Sequence, residues 1–210
     1  MNLPLTLKIA TILIASCASA SAASLIGVSC QTDVDFTTDP TSLSNELSSA
    51  FTATVGWYDG TPLTTGSQFT DINAHWTAVG SVAFATGTMA GYNGYFDTRG
   101  ISYPDSLGLA GKNVWLWVTN GSNGNILMEA TSAVTAGFSY KFHIASDIPN
   151  TGFAEVRAKD RDGWTLFLGT FTETGANAAY GGSYVMNIPE TSTALLGAFG
   201  ALTLIRRRRA

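Results

Sequence analysis

The sequence predicts an all-β fold: a single β-sandwich or jelly-roll-like domain over residues 24–187. A signal peptide (1–23) precedes it, and a tail with a short transmembrane helix (188–210) follows. Three observations predict the domain. Helix signals are scarce. The 22 glycines are spread along the chain, so no long apolar run goes unbroken within the domain. Thr, Val, Phe, Tyr and Trp dominate the apolar runs, and these residues suit a pleated, half-buried surface.

The elements follow in chain order. Ser42–Ala50 is a weak helix candidate. Phe51–Tyr58 reads as a strand stopped by the Asp59-Gly60 turn. Asp71–Val79 reads as a short helix with Thr70 as its cap. Ser81–Thr88 reads as a strand between Gly80 and Gly87. Val114–Thr119 is the strongest strand. It meets the turn Asn120-Gly121-Ser122-Asn123-Gly124, and Asn125–Thr131 returns, which makes a hairpin. Phe138–Ala145 alternates, with Phe138, Tyr140, Phe142 and Ile144 on one face. Phe153–Ala158 and Trp164–Phe171 flank the turn Asp160-Arg161-Asp162-Gly163. Short strands punctuated by turns fit a sandwich, and no internal repeat of useful length occurs.

Within Val114–Thr119, Val114, Leu116 and Val118 share one face and Trp115 and Trp117 the other. Both faces are apolar, so the strand is expected to be central and covered on both sides. Trp57, Trp76, Trp115, Trp117 and Trp164 are expected to fill the core. Exposed, they would instead form a platform for sugars.

The trimmed domain is acidic. Six basic residues face ten Asp and four Glu, a net charge of −8 against −4 for the whole chain. Such a surface repels nucleic acid, and no nucleic-acid partner is expected. Cys30 is the one cysteine of residues 24–187, so no internal disulfide is expected there, and a buried, inert thiol is the default.

Candidates for chemistry are few. His75 and His143 are the only histidines. No Gly-x-Ser-x-Gly elbow occurs, and no His/Cys spacing suits zinc. Both histidines are expected to be surface or packing residues. Asp160-x-Asp162-Gly163 is half of a calcium loop, which makes Asp160 and Asp162 candidate calcium ligands. Asp and Gly also form turns without any ion. Asp33-x-Asp35 is a second close pair. A glycosidase needs two facing carboxyls, and the sequence nominates no pair. The expectation is a protein that is not an enzyme and needs no cofactor, with calcium as the alternative.

The two ends carry the clearest information. Met1–Ala23 has the order of a secretory signal peptide: Lys8 near the start, an apolar Ile9–Ala15, then Ala18-Ser19-Ala20 and Ala20-Ser21-Ala22. Signal peptidase would cut after Ala20, Ala22 or Ala23. Alternatively, Ile14-Ala15-Ser16-Cys17 is similar to a lipobox, which would place a lipid on Cys17. At the other end, Ile188-Pro189-Glu190-Thr191-Ser192 precedes an apolar run from Thr193 to Ile205. Arg206, Arg207, Arg208 and Arg209 follow. About 15 residues of helix span roughly 22 Å at ~1.5 Å each, short of a ~30 Å hydrocarbon core. Extension back towards Ile188 and snorkelling arginines close part of that gap. The arginine cluster stops the helix on the cytoplasmic side.

This three-part tail resembles the PEP-CTERM sorting domain of Gram-negative bacteria. Family tails carry Val-Pro-Glu-Pro-Ser or a close variant, then a "TALLG" segment, an apolar helix and an arginine cluster. Thr193-Ala194-Leu195-Leu196-Gly197 and Arg206–Arg209 match, whereas Thr191 stands where the family has its second proline. The stretch Gly108–Val118 also looks like a strand that recurs in such proteins. The resemblance implies recognition by an exosortase-type processing enzyme at Ile188, Pro189, Glu190, Thr191 and Ser192. It implies a precursor anchored in the inner membrane, then a product at the cell surface or among extracellular polysaccharide. The Gram-positive sortase signal Leu-Pro-x-Thr-Gly is the competing resemblance, differing at its first and last positions. The alternative functions are a glycan- or calcium-binding surface module and a secreted hydrolase.

Overall fold

A computed structural model describes residues 23–30, 34–63, 69–98, 100–121, 124–131, 141–142, 154–157, 163–186 and 188. The fold is all-β in class, with three sheets and little helix. Among the described residues no helix is long and apolar enough to cross a membrane.

Five antiparallel strands form the largest sheet, in the order β10-β8-β7-β3-β4. These are β3 (Thr52–Tyr58), β4 (Trp76–Ala83), β7 (Trp115–Thr119), β8 (Asn125–Ala130) and β10 (Trp164–Leu168). The expected hairpin is present, with Trp115 opposite Glu129 and Thr119 opposite Asn125. A second sheet centres on β1 (Ala23–Cys30). One edge of β1 takes β6 (Ile101–Pro104) and then β5 (Phe96–Asp97), both antiparallel; β9 (Ala154–Arg157) adds in parallel. A third sheet has the order β11-β12-β2, from β11 (Thr170–Thr172), β12 (Ser183–Val185) and β2 (Asp35–Thr37). In it β12 and β2 run parallel.

The five-stranded sheet is covered on both faces. Val55, Leu116, Val118, Ile126 and Met128 pack with Ile26, Val28, Phe36, Phe96 and Tyr184 of the other two sheets in one large core. Phe36 is ringed by Phe84, Phe96 and Tyr184 at 5.5, 5.6 and 4.9 Å between ring centroids. The opposite face carries a smaller, aromatic core of Tyr58, Trp115, Trp117, Leu127 and Leu168. Ile72 of helix α1 (Phe69–Asn73) is buried there and Phe69 packs beside it. Strand β7 is buried at every position, as a central strand covered on both sides must be.

Several elements depart from the sequence reading. The expected helix over 71–79 ends at Asn73, and Thr70 lies inside α1; from Trp76 the chain is strand β4. Thr77 and Val82 pair with Trp57 and Ala53 in an antiparallel ladder on β3 that bulges at Val79, and that pairing outweighs a weak helical pattern. The strand expected over 81–88 stops at Ala83, because Ala85 turns to a φ of 51° and residues 87–89 form a 3-10 turn. Ser42–Ala50 holds only a three-residue 3-10 turn, Leu43–Asn45, whose Ser44 N–H donates to Ser42 Oγ at 3.2 Å. The strand expected over Trp164–Phe171 is split by Gly169, whose φ is 92°. There the chain leaves the five-stranded sheet as β10 and joins the three-stranded one as β11. A Cβ at Gly169 would lie 2.9 Å from the Val185 carbonyl oxygen, so the corner needs glycine. Of the strand expected over 138–145, only Lys141 and Phe142 are described, with Lys141 bridged to Asn113.

Candidate functional site

Strand β12 ends at Val185, three residues before Ile188, the first residue of the expected sorting motif. The Met186 N–H donates to the Thr37 carbonyl at 2.9 Å, and Met186 is 5% exposed. Two residues on, Ile188 is 51% exposed. Pro189, Glu190, Thr191, Ser192 and Arg206–Arg209 lie outside the described residues, as do Asp160, Asp162, His143 and Cys17.

The tryptophans of β7 are core residues. Trp115 is 4% exposed and Trp117 is 3% exposed. Trp117 lies 5.0 Å from Phe69 and 5.5 Å from Trp76 between centroids, and its Nε1–H donates to Asn125 Oδ1 at 2.9 Å. Neither ring is free to stack on a sugar. Trp57 is half-buried under Lys112, whose ammonium sits 3.4 Å from the ring centroid.

His75, Asp59 and Thr61 meet at the mouth of the β3–β4 connection. His75 Nδ1 is 2.6 Å from Asp59 Oδ2, and the Thr61 hydroxyl donates to Asp59 Oδ1 at 2.6 Å. The same Nδ1 lies 3.2 Å from the Thr61 hydroxyl. A catalytic triad uses both imidazole nitrogens, one towards the carboxylate and one towards the nucleophile. Here Nδ1 faces both groups and the hydroxyl proton goes to the carboxylate. The arrangement closes a turn and does not activate Thr61.

The Thr61 hydroxyl and N–H, followed by His75, hold the Asp59 carboxyl down from 3.8 to about 2. A carboxyl depressed in the folded state adds stability above its unfolded value and loses it as pH falls towards the folded one. Thr61→Val removes the hydroxyl bond. Its acid transition is expected to start at higher pH than that of the unmodified protein, within the window between about pH 4 and pH 2. Circular dichroism on paired acid titrations measures this, and coincident curves would refute it.

A second acidic pair is of a different kind. Asp35 lies on β2 and is 1% exposed, and neither carboxylate oxygen has a hydrogen-bond partner. The parallel ladder sets Ser183 of β12 opposite Asp35. On the other edge of β2, Thr37 bridges to Glu46, which places Glu46 on the same face two residues along. Asn177 is buried beside them, with its Nδ2 3.4 Å from Glu46 Oε1. Ser183, Asn177 and the Asp35 N–H lie close enough to favour the Asp35 charge, though none meets either oxygen at full hydrogen-bond geometry.

Burial raises the Asp35 carboxyl above its usual 3.8 and outweighs the opposing pull of Ser183, Asn177 and its own N–H. Burial also raises Glu46 above 4.5; Asn177 opposes this and the Asp35 charge adds to it. A carboxyl raised in this way stabilises the fold below its unfolded value, and that contribution is lost as pH rises through the folded one. The pair when ionised is therefore a cost to the fold. Among the described residues no three His, Cys, Asp or Glu side chains converge as a metal cluster.

No family model, no curated protein and no solved structure matches this chain. The sequence reading singled out Asp35 for its spacing from Asp33, but not Glu46, Asn177 or Asp59. Nothing local marked Asp35 as buried, because Asp35 between Val34 and Phe36 is the ordinary apolar-polar-apolar alternation of a half-buried strand.

Proposed function

We propose that this chain is an exported surface or matrix-associated protein, delivered and processed through a PEP-CTERM-like tail at residues 188–210, and not an enzyme. Signal peptidase and an exosortase-type enzyme are its processing partners, the C-terminal helix is its transient membrane anchor, and extracellular polysaccharide is its destination. The observation that carries this reading is the change from buried Met186 to exposed Ile188. Strand β12 ends at Val185 and Ile188 is exposed, which favours access of a processing enzyme to the motif.

The other end is compatible. Strand β1 begins at Ala23, so cleavage after Ala20 or Ala22 leaves it whole, whereas cleavage after Ala23 removes the pairing with Pro104. The two cores on either face of the five-stranded sheet support the β-sandwich form of the domain. The closed geometry of His75 and the packed β7 tryptophans favour this reading over a hydrolase or a tryptophan-based sugar platform.

Mass spectrometry of the mature termini tests the proposal in a host that supplies the export and processing machinery. The expected product starts near Ser21–Ser24 and ends near Pro189–Ser192. A full-length cytosolic product would refute it.

A further inference from the structure

We propose that Asp35 and Glu46, completed by Asn177 and Ser183, bind a calcium ion that ties β2 to β12. The starting point is a carboxylate at 1% exposure with both oxygens unpaired. An ionised group in that setting costs several kcal/mol unless a proton, a cationic side chain or a metal answers it. The charged group acting on this pair is its own second member, and it is of like sign. What surrounds Asp35 is a set of hard oxygen donors. Glu46 supplies a second carboxylate, Ser183 a hydroxyl 2% exposed, and Asn177 an amide 6% exposed. Turning that amide by half presents Oδ1 in place of Nδ2, an exchange of near-identical shape. Two carboxylates with neutral oxygens and no nitrogen or sulfur ligand select calcium over a transition metal. Loose geometry and several ligand types also suit calcium better than magnesium.

The backbone keeps the place open. Gly94 has a φ of +79°, and a Cβ there would lie 3.0 Å from Asp35 Cβ and 3.4 Å from Glu46 Cβ. Its carbonyl accepts the Phe36 N–H at 3.1 Å, and its N–H donates to the Leu47 carbonyl at 2.8 Å, so it is fixed between the two acid-bearing segments. Glu46 is only half-buried, which leaves the ion a way in from solvent. The proposal uses neither Asp160 nor Asp162 and does not depend on the tail.

The test is thermal melting of the full-length chain in detergent, in about 1 mM calcium, in EGTA, and in magnesium as control. At ~100-fold excess over the dissociation constant, calcium is expected to raise the midpoint by about 5–10 °C. Asp35→Asn is expected to abolish that rise and to melt above the unmodified protein in EGTA, because the unpaired charge is gone. Equal melting of the unmodified protein in calcium and EGTA would overturn the proposal, and a higher midpoint of Asp35→Asn would then identify a shared proton. An equal rise in magnesium would show screening of an acidic surface and would also overturn it. Should Asp35→Asn not fold, Glu46→Gln decides: at least a tenfold higher calcium requirement supports the site, and an unchanged one places the ion elsewhere.

Discussion

Trp117→Ala is expected to remove about 3–5 kcal/mol of stability, the usual cost of truncating a large buried aromatic. Trp117 sits at the centre of the smaller core, between Phe69 of α1 and Trp76 of β4. Its loss opens a cavity between the sheet and helix α1, and withdraws the indole donor from the buried Asn125. Surrounding side chains cannot fill the gap, because Leu127 and Trp115 beside it are already packed. Domains of this size are stable by only about 5–15 kcal/mol, so the loss is a large share of the whole. Trp117→Phe keeps much of the ring and is expected to cost about 1–3 kcal/mol, chiefly the buried acceptor. Urea unfolding of the three proteins measures both. A Trp117→Ala cost below about 1 kcal/mol would mean that this face is not a core.

Replacing Arg206–Arg209 with four serines is expected to abolish retention in the membrane and with it the processed form. Each arginine resists entry into the hydrocarbon by about 2.5–3.5 kcal/mol on insertion scales, and four in a row form a barrier that a short helix cannot pull through. Without them, the apolar run at 193–205 is too short to hold its place. Fractionation should show at least a tenfold fall in membrane-bound precursor. Pro189→Ala paired with Glu190→Gln separates the two steps: the precursor should stay anchored while its cleavage stops. Normal processing without the arginines would contradict the tail reading.

The parts of this fold that local pattern dictates were legible. Val114–Thr119 is apolar at nearly every position, and only a strand covered on both faces tolerates that, so its central place followed from its composition. The hairpin to β8 followed from a five-residue Asn/Gly/Ser turn. What escaped was decided by distant pairing. Trp76–Ala83 has no strong period of its own and becomes a strand because β3 offers a ladder. Asp35, Glu46 and Asn177 have nothing in common locally; two different edges of β2 bring them together. Asp59 and His75 meet only because the Asp59 N–H closes onto the His75 carbonyl at the end of the β3–β4 ladder.

The parallel union of β2 with β12 has a consequence for the order of events in the life of the chain. Asn177 meets Glu46 across 131 residues, and β2 finds its β12 neighbour at a comparable distance. A polypeptide threaded through a membrane pore from its amino end delivers β2 long before β12. Until the last strand emerges, this seam stays open, and contacts between such remote segments are slow to form. On the export route proposed above, delay of that kind would keep the passenger pliable in transit and reserve the locking of the acid-bearing seam for arrival on the far side.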